Sequence, residues 1–139
     1  MSIEQNEVLV RRFYDEVLNQ GNAAALAELV APDFVDHQPF PGQGAGRAGL
    51  QESLAKFRAA FPDLRYTIED LIAAGDEVAV RSTWRGTNQG PFFGRPATGN
   101  AVAVTDIDIV RIAGGQLVEG WGLTDEMALQ RQLGGAAAQ

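Results

Sequence analysis

The chain of 139 residues contains no cysteine. That excludes a disulfide framework, a thiolate metal site and a thiol nucleophile. A single histidine, His37, excludes any site built from two or three imidazoles, and no metal site is expected. Positive charge is also scarce. Eleven Lys and Arg against eighteen Asp and Glu leave a net charge of −7, and no basic cluster exceeds the pair Arg11 and Arg12. A nucleic-acid backbone is a poor partner for such a surface. No apolar run approaches the length of a bilayer span, so no membrane partner is expected. The opening residues lack the basic start, apolar block and small-residue cleavage site of a secretory signal, and the expected location is the cytoplasm. A Walker loop, a dinucleotide-binding glycine fingerprint and a G-x-S-x-G elbow are all missing. What remains for chemistry is carboxylates, hydroxyls, amides, arginines and one imidazole, with no cofactor expected.

The apolar pattern that is present divides the chain into two halves. Ser2 and Gln5 form a capping box, and Val10, Phe13, Tyr14, Val17 and Leu18 then recur at helical spacing until Gly21. Asn22 caps a short second helix, Ala23 to Val30, closed by Pro32. An extended piece, "DFVDHQPFPGQGAG", leads into a third helix marked by Leu50, Leu54, Phe57 and Phe61 and ended by Pro62. From Leu64 the period changes to two. Four antiparallel strands follow, separated by "AAGDE", by the Gly/Pro-rich stretch Asn88 to Asn100 and by "AGG". A last helix, "EMALQRQL", runs to Gly134. The expected class is α+β, with one face of a curved antiparallel sheet buried against the helices in a single domain, residues 1–139.

The segments "FVDH" and "FRAAFPDLRYTIEDLIAAGDEVAVRSTWRGTNQGPFFGRPATG", and the closing W-x-x-x-D with "QLG", resemble the SnoaL-like polyketide cyclases of the nuclear-transport-factor-like superfamily. The resemblance implies a cone-shaped α+β barrel with an interior pocket, often a dimer or tetramer. It implies an enzyme for small organic molecules that closes a ring by an intramolecular aldol reaction without metal or cofactor. The family's acid/base aspartate falls on Asp125, and its cavity histidine falls on His37. Where the family commonly has "GTH" and "EHW", this chain has Gly86-Thr87-Asn88 and Glu119-Gly120-Trp121. More distantly, the sequence is similar to ketosteroid isomerase. That comparison places Tyr14 at an oxyanion tyrosine and Asp108 at an oxyanion acid, with Gln38 where the isomerase has its base.

Each candidate has a second reading from local chemistry. Asp125 follows Thr124 at a helix start, so it is either a cap or an acid at a pocket mouth. His37 is either a polar loop residue or a donor to a substrate carbonyl. Asp106 and Asp108 share one strand face with Val102, Val104 and Val110. If that face is outside, the pair is solvated; if it faces the cone, the acids must be paired or partly protonated. Tyr14, Phe40, Phe57, Phe61, Trp84 and Trp121 are core residues or a platform for a flat apolar ligand. Phe92 and Phe93, on the Gly/Pro-rich loop, are a lid or a packing contact. The function expected is acid/base ring closure on a bulky apolar ketone or ester, with a hydroxylase or hydrolase on the same scaffold, or a non-catalytic ligand-binding module, as alternatives. A homodimer is expected from the apolar outer face that such a sheet leaves.

Overall fold

The structure is a computed structural model describing residues 2–134. Helix α1, Ile3–Arg12, starts at the expected capping box: Ser2 Oγ accepts from the Gln5 amide, and Gln5 Oε1 accepts from the Ser2 amide. It continues without a break into a wider π-helical segment, Phe13–Asn19, which carries Tyr14. Asn22 caps α2, Ala23–Leu29. Helix α3 spans Gly46–Ala60, and α4 spans Glu126–Leu133 and closes at Gly134, whose φ of +88° requires the freedom of glycine.

Five strands, β1 Val30–Asp36, β2 Arg65–Ala74, β3 Glu77–Thr87, β4 Ala101–Ala113 and β5 Gln116–Thr124, form one sheet in the order β1-β5-β4-β3-β2. β2 to β5 make the expected antiparallel meander. β1 corrects the expectation of a wholly antiparallel sheet: the extended piece after the second helix pairs in parallel with β5, so the sheet is mixed. Val30, expected in the second helix, is fully buried as the first residue of this strand. Pro32 is tolerated because β1 lies at the sheet edge. The sheet is curved and does not close. Register shifts at Glu69 of β2, between Ile68 and Asp70, and at Val118 of β5, opposite Arg111 and Ile112, supply local bends.

Alternation along the strands decides which side is inside. Val78, Val80, Ser82 and Trp84 of β3 and Val102, Val104 and Asp106 of β4 are buried against the helices. Ile107 and Ile109 point outward and are exposed. The inner face holds two apolar clusters. One gathers Val10, Tyr14, Leu26, Phe34, Val80 and Leu117; the other gathers Phe57, Phe61, Trp84, Val104, Leu129 and Leu133. Between them, Ser82 interrupts the valines of β3, and Asp106 and Asp108 interrupt those of β4. A polar layer therefore crosses an otherwise apolar interior.

Candidate active site

Tyr14 projects from the π-helical segment and donates from its hydroxyl to Asp108 Oδ2 at 2.9 Å. The same segment ends at Asn19, which clamps the start of β2: its side chain donates to the Tyr66 carbonyl at 3.1 Å and accepts from the Tyr66 amide at 2.6 Å. One helix thus fixes two phenols, whose rings meet edge to face 5.8 Å apart. On β3, Trp84 donates from Nε1 to Asp106 Oδ1 at 3.3 Å. Gly122 of β5 lies opposite Asp108, and a Cβ there would overlap Asp108 Oδ1. Glycine at 122 makes room for the carboxyl.

Burial raises both acids, Asp106 to about 7 and Asp108 to about 6. For Asp106 the charge of Asp108 adds to the effect of burial, while hydrogen bonds with Thr124 and Trp84 oppose it. For Asp108 the bond from Tyr14 pulls back toward the ionised form. Burial and the neighbouring carboxylates hold Tyr14 and Tyr66 well above the usual phenol range, so both remain donors at neutral pH. Asp106 is nearly enclosed, whereas Asp108, Tyr66, Gly122 and Thr124 are half-buried. Two carboxyls raised in this way exchange protons in the range just below neutrality, where one member can donate while the other accepts.

The cluster around Trp84 is rich in aromatic rings. Phe57 and Phe61 pack edge to face on Trp84, with ring centres 4.9 and 5.2 Å away, and Phe92 packs against both phenylalanines. Phe40 and Phe93 stack at 4.9 Å and join the 37–45 and 88–100 loops. Phe93 sits at φ +46°, an unusual conformation for a bulky residue. The longer loop is organised by Asn88, which is almost fully buried. Its side chain donates to the Gly90 carbonyl at 2.9 Å and accepts from the Thr98 amide at 2.9 Å.

The sequence matches the family described as SnoaL-like polyketide cyclase over residues 8–133. The chain belongs to the SnoaL-like polyketide cyclase family. Among solved structures it is similar to TsrD from Streptomyces laurentii, with 29% identity over 96% of this chain and 98% of that one and a TM-score of 0.87. IdmH from Streptomyces antibioticus, named as a candidate polyketide cyclase, shares 33% identity over 94% of this chain and 99% of its own, with a TM-score of 0.82. AclR from Streptomyces galilaeus, named as a candidate hydroxylase, shares 25% over 96% and 98%, also at 0.82. No curated protein matches the chain.

The SnoaL-like resemblance pointed to Asp125 and His37, whose side-chain hydrogen bonds go to groups other than the acids and phenols of the polar layer. Asp125 is the exposed N-cap of α4, its Oδ1 accepting from the Ala128 amide at 3.1 Å. His37 lies with the outward residues: its ring stacks on Trp121 at 4.9 Å, and its Nε2 contacts Glu119 Oε2 at 2.6 Å. Arg111 donates to the other oxygen of that carboxylate at 3.0 Å. Trp121 pairs with the outward Ile109, so its side chain belongs to the outer face. Where the family commonly has the histidine of "EHW", Gly120 points inward with the Phe34 ring beneath it. The "GTH" histidine is replaced by the loop clamp Asn88. Gln38 accepts from the Gly122 amide at 2.8 Å. Tyr14, Asp106, Asp108 and Trp84 do come together. Tyr66, Ser82 and Gly122 were not singled out from the sequence, although the inward parity of Ser82 with Val80 and Trp84 was a usable signal. Among the described residues, no three His, Cys, Asp or Glu side chains converge on a metal-sized site.

Proposed function

We propose that the chain is a small-molecule enzyme resembling polyketide cyclases, and that Asp106 and Asp108 form its acid/base centre. The observation that carries this reading is the acid pair itself: two inward carboxyls, raised to about 7 and about 6, in contact with Tyr14 and Trp84. The ionised member removes a carbon-bound proton from a bulky apolar ketone or ester. The enolate attacks a carbonyl of the same molecule, and the protonated member or Tyr66 returns a proton to the new alkoxide. The reaction is redox-neutral, so this reading requires neither cofactor nor metal. Asp125 and His37 take the roles of helix cap and outer-face residue. A second reading, supported by the likeness to AclR, is a hydroxylase on the same scaffold; oxygen uptake on adding substrate distinguishes it.

The test uses aromatic β-keto esters bearing a second carbonyl, with ring closure and solvent deuterium exchange at the acidic carbon followed by NMR. Asp106→Asn and Asp108→Asn should each slow exchange by roughly a hundredfold, the usual scale for losing a general acid or base. Asp125→Asn should retain it, since asparagine also caps helices. Loss of exchange in Asp125→Asn, with the aspartate pair dispensable, overturns the assignment. Ligand binding with neither exchange nor oxygen uptake in the wild type indicates a binding module instead. A homodimer in the cytoplasm, serving polyketide antibiotic biosynthesis, belongs to the same proposal. In its support, Val35, Ile107, Ile109 and Leu123 are exposed on the outer face, and no helix among the described residues is long and apolar enough to cross a membrane.

A further inference from the structure

Ser82 is fully buried, and its Oγ has no hydrogen-bond partner. A buried hydroxyl left without a partner is costly, and native interiors rarely keep one. Ser82 lies directly opposite Asp106 in the β3–β4 ladder and faces the same side of the sheet. Side chains so placed have Cβ atoms about 4.5–5.5 Å apart, close enough for rotation about one bond to bring a serine hydroxyl to a carboxyl. Asp106 Oδ1 takes the Trp84 bond and the carboxyl also bonds the Thr124 side chain, which leaves part of its roughly four acceptor sites open to a further donor. Being wholly enclosed, Ser82 lies behind the site and does not line it.

We propose that Ser82 is a positioning residue for Asp106, a reversible hydroxyl partner that donates to the carboxylate when Asp106 is ionised and accepts from the carboxylic acid when it is protonated. A serine hydroxyl suits both states because it carries one donor and two acceptor lone pairs. The titration of Asp106 then has contributions from each surrounding element. Tyr14 comes from the π-helical segment, Tyr66 from β2, Ser82 and Trp84 from β3, Asp108 from β4, Thr124 from β5 and Glu126 from α4. Ser82 sits beside the acid and tunes its proton affinity without adding a charge of its own.

This inference rests on Asp106 being the acid/base residue, but its test does not require turnover. The Asp106 carboxyl is titrated by carbon NMR in ligand-free protein, its signal assigned by loss in Asp106→Asn. The bond to the charged carboxylate is stronger than the bond from the neutral acid, so Ser82→Ala should move the Asp106 midpoint upward by about one pH unit. Ser82→Cys, a weaker donor of similar size, should give an intermediate value. A midpoint unchanged in Ser82→Ala, with the fold retained, overturns the proposal and marks Ser82 as a packing residue. If the midpoint moves but deuterium exchange is indifferent to Asp106→Asn, the positioning role stands and the catalytic reading falls.

Discussion

Asp106 and Asp108 bind protons more tightly in the folded chain than an ordinary carboxyl at about 3.8 does. Between roughly pH 4 and 7 the folded state therefore holds more protons than the unfolded state. The pair's contribution to stability falls as pH rises through that window and levels off above it. Asp106→Asn keeps the shape and removes the ionisation. We expect it to flatten the dependence of urea-unfolding free energy on pH and to exceed the wild type at pH 8 by on the order of 2 kcal/mol. Curves that stay parallel from pH 4 to 8 would show that Asp106 ionises freely. At this scale the parity of the two acids was readable from the sequence, but their direction was not. Valines on one side and Ile107 and Ile109 on the other make either face of β4 plausible as the interior. The helix start at Asp125 was also readable. Which of its two roles applies depends on neighbours that local spacing does not specify.

The elements were legible in proportion to their periodicity. β3 and α4 fall where the sequence pattern places them, whereas β1 was legible only as an extended piece without a partner, because it is short, carries Pro32 and pairs with β5, over 80 residues away in sequence. The 88–100 loop was legible as a loop, but its organisation around Asn88 was not, because polar clamps leave no periodic signature. Asn88→Ala leaves the Gly90 and Thr98 groups without their partner and should cost about 2–4 kcal/mol, with faster proteolysis inside the loop. Unchanged proteolysis would assign the loop's order to its phenylalanines. Those two differ in what they touch. Phe92→Ala should cost stability first, about 2–4 kcal/mol, because its ring packs on Phe57 and Phe61. Phe93→Ala loses contacts with Phe40 and Phe92; in the lid proposal it should change unfolding less than Phe92→Ala does and raise KM. A Phe93→Ala enzyme with unaltered KM and kcat would remove the lid role.

Across the whole molecule, the sheet divides the work between its faces. The inner face holds the polar layer between two apolar clusters, and the outer face presents Val35, Ile107, Ile109 and Leu123 to solvent. Exposed aliphatic side chains in such number on one face suit a second copy of the chain. Light scattering should give twice the chain mass at micromolar concentration, and Ile109→Glu combined with Leu123→Glu should give the single-chain mass with the fold intact. A wild-type chain that is monomeric throughout would refute the dimer. The overall fold was legible largely through family resemblance, since composition and period specify helices followed by strands but leave the pairing of β1 open.

The central claim, that chemistry centres on Asp106 and Asp108, is tested most directly by a crystal structure with a flat phenol bound as a stand-in for the enolate. The oxygen of the phenol should lie about 2.6–3.2 Å from a carboxyl oxygen of Asp106 or Asp108, with the Tyr66 hydroxyl within reach. A phenol seated instead against Asp125 or His37, with the aspartate pair untouched, would contradict the account.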